Sequence, residues 1–257
     1  MSTLQPWSTS KIDVARSCTL RFHLKYLKKV PGEAVERSDG RIGSAVHLVL
    51  EKMLKGEDYR TAFTHAALYS KITYKETLEL KEFETAILRF MSKFEDLKTK
   101  TKVVDVHTEQ QFAITRDLQA CDYWDKDAWL RGVIDVAVHV ERQGVPYLLV
   151  IDHKSGEIKD ISNYKMQLFS YIVMGMAHFP EMGGIQPAIH WLKAEEVLQQ
   201  KPVEWMAMTL ADTIQTTVVP ELRAHVEAAE VAAAETPKPS VGWYCEFCEY
   251  RKMCPAL

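Results

Sequence analysis

An α/β fold is predicted by three features of the sequence: helical periodicity in the N-terminal third, a central block rich in β-branched and aromatic residues, and a return to helical spacing after it. With 257 residues, 47% hydrophobic and 26% charged, the chain can fill one large core, and no composition break in its middle demands a second domain. The expectation is one domain over 1–257 with appendages.

Taken in order, apolar residues recur at helical spacing from Ser10 to Tyr26 (Ile12, Ala15, Cys18, Phe22, Tyr26), with Ser8, Thr9 or Ser10 available as the N-cap, so Cys18 is expected to ride on an N-terminal helix within 1–30. A loop around Pro31-Gly32 and Asp39-Gly40 leads to a helix over Ile42–Met53 that places Gly43, His47 and Leu50 on a related face. Residues 54–100 read as a helical insertion or cap with an apolar stripe of Phe83, Ile87, Phe90, Met91 and Phe94. The pattern then changes. Val103–Ile114, Trp129–Val140 and Tyr147–Ile151 predict a three-stranded meander, with Gln143-Gly144 turning between the last two. A helix over Asn163–Phe179, strands over Ala188–Leu192 and Val203–Met208, and a long Ala-rich helix over Ala211–Ala234 complete the expectation, with the catalytic core placed at 101–210. Pro237-Lys238-Pro239-Ser240 ends that helix, and the cysteine-rich tail 241–257 is too short for a core of its own, so it needs a cross-link.

The formal net charge of −3 offers no global attraction to nucleic acid, so such binding must come from local patches or from metal ions bridging carboxylates to phosphate. The opening residues lack a basic stretch followed by an apolar one, and no apolar run approaches the roughly 20 residues of a membrane span. A soluble, cytoplasmic protein is expected. Its cysteines are then poor candidates for disulfides and better ones for metal ligation, with Cys121 an isolated thiol.

Asp135 closes Leu130-Arg131-Gly132-Val133-Ile134-Asp135 at or near a strand end, and Asp152 follows the apolar run Tyr147-Leu148-Leu149-Val150-Ile151. Adjacent antiparallel strands can bring both carboxylates to one place. Residues on a strand alternate, so Asp152 and Lys154 project together while His153 faces the other way. Carboxylates at this spacing can hold a hard divalent cation, and the ammonium can orient water or stabilise charge developing on a phosphate. His47 can complete the metal shell through a neutral imidazole, which suits Mn(II) more than Mg(II) but permits either; Glu109 is a weaker candidate. Gln167 and Tyr171 stand four apart on the following helix and can reach one cleft, where they suit phosphate or base positioning.

Cys245 and Cys248 form a tight chelating pair, and Cys254 arrives after a short turn. Cys18 is the natural fourth ligand. Such a set can hold a 4Fe-4S cluster or tetrahedral zinc, and geometry alone does not choose. Either would close a very long loop and clamp both termini.

The run Gly43-Ser44-Ala45-Val46-His47, then Leu130 to Asp135, then Val150-Ile151-Asp152-His153-Lys154-Ser155-Gly156, then Gln167-Leu168-Phe169-Ser170-Tyr171 resembles the RecB-like branch of the PD-(D/E)xK nucleases. With the terminal cysteines it is most similar to the iron-sulfur exonucleases allied to CRISPR-associated nucleases and the AddB nuclease domain. The resemblance implies a restriction-endonuclease-like core, a mixed central sheet flanked by helices. It implies His47, Asp135, Asp152 and the backbone carbonyl of His153 as ligands to Mg(II) or Mn(II), Lys154 as catalytic lysine, and Gln167 and Tyr171 in the motif after the catalytic strand. It favours 4Fe-4S over zinc on Cys18, Cys245, Cys248 and Cys254. Ile134 stands where the superfamily's name has proline.

The implied activity is metal-dependent DNA exonuclease action from single-stranded or frayed ends. The rivals are an endonuclease or end-trimming subunit of a recombination or spacer-acquisition complex, and a catalytically silent DNA-binding scaffold. No helicase P-loop occurs, so unwinding is absent or borrowed from a partner. Lys11, Arg16, Arg21, Lys25, Lys28 and Lys29 make the first helix and its exit basic, either a phosphate track, with Phe22, His23 and Tyr26 beside it for stacking, or a solvated face. Tyr123, Trp124 and Trp129 suit base stacking or core packing, and no sequence-reading element is visible.

Overall fold

The computed structural model describes residues 6–33, 38–193 and 203–257, so the opening residues in which no leader was expected lie outside the described residues. Strands β1 (Lys102–Thr115), β3 (Ala128–Arg142) and β4 (Val145–Lys154) form the expected antiparallel meander, with the short β2 (Ala120–Cys121) on the outer edge of β1. Gln143 and Gly144 take φ of 53° and 79° between β3 and β4, the left-handed pair that a tight hairpin matching strand twist requires. Helix α7 (Lys165–His178) crosses over to β5 (Gly184–Trp191), which pairs parallel with β4. The predicted strand over Val203–Met208 is two short ones, β6 (Val203–Trp205) and β7 (Thr209–Leu210), both antiparallel to β5. The sheet is therefore mixed, in the order β2-β1-β3-β4-β5-β6.

Helices cover both faces. Leu168, Ile172 and Met174 of α7 pack on Leu148, Val150, Ile185 and Ile189, and Gly175 permits the close approach, since a Cβ there would sit 2.8 Å from Ile185. On the other face lie α3 (Ser38–Leu54), α4 (Tyr59–Tyr69), α5 (Tyr74–Lys81) and α6 (Glu84–Lys100). Val46, Leu50, Ile87, Phe90 and Phe94 bury Val136, Val138, Leu149 and Ile151. The segment expected as a helical insertion or cap covers the central strands, with α6 and α3 together keeping this face from water.

Two helix predictions need correction. Cys18 does not ride within a helix: α1 (Thr9–Ser17), N-capped by Ser8, stops at Cys18, whose extended backbone starts α2 (Thr19–Phe22) and whose sulfur accepts from the Arg21 N–H at 3.4 Å. A cysteine can cap here because its sulfur takes the place of a serine oxygen. The long C-terminal helix is also broken, into α8 (Ile214–Thr217) and α9 (Val219–Ala234), with Pro220 starting the latter where a missing N–H costs least. Among the described residues no helix is long and apolar enough to cross a membrane.

Candidate active site at a strand fork

The β3–β4 ladder ends at Val136↔Ile151, one step before Asp135 and Asp152, where the strands part. Asp135 stands in mid-strand rather than at a strand end, because β1 continues to pair with β3 past this point. Its Oδ2 accepts from the His153 backbone N–H at 2.7 Å, so a carboxylate replaces the ladder bond that the fork removes.

Strand alternation sends Asp152 and Lys154 toward α7 and His153 toward α6, as the spacing predicts. Asp152 is buried, and its Oδ1 accepts from the Tyr171 hydroxyl at 2.8 Å and from Gln167 Nε2 at 2.9 Å. Lys154 Nζ lies 2.6 Å from Asp152 Oδ2 as an ion pair, donates to Gln167 Oε1 at 3.3 Å and sits 5.0 Å above the Tyr164 ring. Gln167 therefore grips both members of the pair. Gln167 and Tyr171, expected to suit phosphate or base positioning, both bond Asp152, and Tyr171 is buried beneath it.

From the other layer, α3 delivers His47, whose Nδ1 is 3.4 Å from Asp135 Oδ2 and 3.9 Å from Glu109 Oε1. Register places Glu109 opposite Asp135, since Thr108 pairs with Val136 and Gln110 with Ile134. Glu109 takes a φ of 49° inside β1, a left-handed conformation that costs a non-glycine residue about 1–3 kcal/mol and breaks the alternation of side chains. One ligand atom from each of His47, Glu109 and Asp135 gathers within 4.8 Å. Glu109, ranked low from sequence, belongs to this group, and Asp152 stands behind it, tied to α7. Gly43, one turn before His47, lets α3 approach the loop after β4, as a Cβ there would meet Ser155 Oγ at 2.9 Å.

The charges explain one another. Burial first, and then the Asp135 charge, raise the Asp152 carboxyl against the pull of Lys154. Asp135 is held below the ordinary range despite its burial, because His47 bonds it and is positively charged. Burial alone would lower His47, but Asp135 and Glu109 outweigh it and push the imidazole up to about 10. Such a pocket of carboxylates around one imidazolium is one that a dication would satisfy, with the proton leaving His47. Behind the site, His153 Nδ1 meets His190 Nδ1 at 2.8 Å, both rings pack against Phe90, and burial drives His153 down to about 3 and His190 well below its usual value. These rings are neutral.

An acidic pair thus stands at a strand fork, with D-x-K on the outgoing strand and a helix gripping both members. The sequence model of the PD-(D/E)XK nuclease superfamily matches residues 6–255. The chain belongs to that superfamily. Among solved structures, this nuclease is similar to a presumed exonuclease from Eubacterium rectale, with a TM-score of 0.53 at 12% identity over 100% of this chain and 90% of the other, a likeness of fold. No curated protein matches it.

In this nuclease the cysteine tail lies against the segment around Cys18. Glu249 takes ion pairs from Arg21 at 2.7 Å and Lys25 at 3.0 Å, and its carbonyl accepts from the Glu33 N–H at 2.9 Å. The Tyr244 hydroxyl donates to the Ser17 carbonyl and that of Tyr250 to the Val30 carbonyl. Burial, chiefly, raises the Cys248 thiol, and the neighbouring Cys18 adds to the rise. All the cysteines are free, and among the described residues no three thiols gather within 4.8 Å.

The tail contacts take up part of the basic cluster on the first helix and its exit. Arg21 and Lys25 are occupied by Glu249, and Lys11 folds inward over the Trp7 and Tyr26 rings, its ammonium lowered to about 8 by burial and by Arg131. Trp129 is core, whereas Trp124 is exposed and stacks on Arg131.

Proposed function

We propose that this chain is a metal-dependent DNA exonuclease of the RecB-like branch, acting on single-stranded or frayed ends and carrying a structural 4Fe-4S cluster. The observation that supports it most is the meeting of His47, Glu109 and Asp135 in front of the Asp152–Lys154 pair. His47, Glu109 and Asp135 would hold Mg(II) or Mn(II), with Asp152 and the His153 carbonyl available to the same ion; their oxygen and imidazole donors fit such a cation. Bound there, the ion supplies neutralisation of the phosphate and acidification of water.

The chain's own groups do the rest. Lys154 orients the attacking water and stabilises charge growing on the phosphate, while Gln167, bonded to both Lys154 and Asp152, fixes the position of the pair. Tyr171 locks the Asp152 carboxylate in one rotamer. The thiols of Cys18, Cys245, Cys248 and Cys254 would hold an iron-sulfur cluster whose work is to fasten the tail.

The test is hydrolysis of end-labelled linear and closed circular single strands in Mn(II), with EDTA as control. Linear strands should be shortened from their ends, circles should survive, and EDTA should stop the reaction. Circles cut as fast as linear strands would replace this reading with an endonuclease, and no cleavage of either would leave a silent scaffold.

A further inference from the structure

We propose that Tyr69, the last residue of α4, is a substrate-binding residue whose ring stacks on an unpaired base beside the strand fork. This rests on the nuclease reading above and adds to it the origin of strand preference.

A cavity of about 600 Å³ opens in front of the fork, and its walls include His47 and Glu109 of the ligand group together with Tyr69. Tyr69 is 82% exposed, and among the described residues no ring packs on it and no side chain bonds its hydroxyl. An aromatic face left bare at the rim of a reaction pocket is a surface a base can cover. Gly40 and Ser155 are shared with a second cavity of about 820 Å³ that reaches Phe247, between the tail cysteines. The two make a trough beside the ligand group, lined by Tyr69 together with His47 and Glu109 in one part and by Phe247 in the other.

Charge decides which part of a strand meets Tyr69. Glu109 and Glu51, the latter paired with Lys55, line the same cavity and no Lys or Arg does, so phosphate gains little there and a base can supply the contact. Every base has a π-face, which makes the contact indifferent to sequence. A base inside a duplex is already stacked on both sides, so only an unpaired one gains from Tyr69. The ring thereby favours single strands and frayed ends over intact duplex.

The experiment compares wild type, Tyr69→Ala, Tyr69→Phe and, as a control, Tyr74→Ala. Tyr74 is equally exposed but lies outside the trough. Hydrolysis of oligothymidylate in Mn(II) is measured, and anisotropy in EDTA reads binding without cleavage. A set of oligonucleotides carrying one abasic position each locates the stacked base. Tyr69→Ala should raise KM and the dissociation constant about 5- to 100-fold. Tyr69→Phe and Tyr74→Ala should match wild type, and the penalty for one particular abasic position should vanish in Tyr69→Ala. The preference for single strand over duplex should fall by a similar factor. Unchanged KM and unchanged abasic sensitivity in Tyr69→Ala would overturn the proposal while leaving the nuclease reading intact. So would Tyr69→Phe as weak as Tyr69→Ala. A wild type that hydrolyses no strand at all would overturn both.

Discussion

At the strand fork each polar side chain is held by a neighbour that the sheet itself positions, whereas the cysteine tail buries little beyond Tyr250 and hangs on ion pairs and hydrogen bonds to the segment around Cys18. The fork needs no cross-link to keep its shape, because Asp152, Lys154, Gln167 and Tyr171 stand on β4 and α7, elements buried on both sides. The tail has short turns and no core, so its order depends on what joins it to the rest. One region is pre-formed for chemistry and the other is fastened for stability, and the two should fail separately.

The largest expected effect breaks them apart. Lys154→Met should lower kcat by about 10²–10⁴-fold and leave unchanged the visible absorption expected of a cluster. Cys248→Ser should abolish that absorption and expose the tail to protease. Parallel absorption spectra, limited proteolysis and kinetics on the two variants check this, and loss of both properties in either variant would mean that the regions are one unit.

A smaller effect comes from the histidines behind the fork. His153 and His190 are depressed in the folded chain, so the unfolded chain takes up protons below about pH 6.5 that the fold refuses. Their contribution is fully present above that pH and is lost as pH falls toward the folded values. From pH 7 to pH 5 each histidine that stays neutral should subtract about 2 kcal/mol of stability. Urea titrations of wild type and His190→Phe at both pH values measure it, and an equal loss in the two proteins would refute it.

The smallest effect concerns the tail's own contacts. Glu249→Gln removes the charge shared by Arg21 and Lys25, and partly exposed ion pairs of this kind contribute about 1 kcal/mol. Proteolysis near residue 249 should quicken severalfold while hydrolysis at the fork stays at wild-type rate. No change in cleavage of the tail would show that these ion pairs do not hold it.

These regions also differ in how far they could be read from sequence. Asp152, Lys154, Gln167 and Tyr171 are set by local spacing, two on a strand and four apart on a helix, and periodicity exposes such neighbours directly. Glu109 was ranked low because two things place it: the β1–β3 register, which sets it opposite Asp135, and a left-handed φ of 49° that no local pattern announces. Cys18 sits at a helix break that apolar spacing passes over, since Ile12, Ala15 and Phe22 remain buried on both sides of it. Arg21 and Lys25 read as free cations until Glu249, far along the chain, is brought to them. The antiparallel meander was legible from its β-rich block, whereas the parallel pairing of β4 with β5 and the covering role of α6 depend on partners far along the chain.

The central claim is that His47, Glu109 and Asp135 together make a divalent-cation site. Free Mn(II) followed by electron paramagnetic resonance during titration tests it most directly, with wild type beside Asp135→Asn and Glu109→Gln. Wild type should deplete the free signal at micromolar metal, and each variant should bind at least about tenfold more weakly, as loss of one charged ligand from so small a group requires. Equal Mn(II) binding by wild type and both variants would contradict the account.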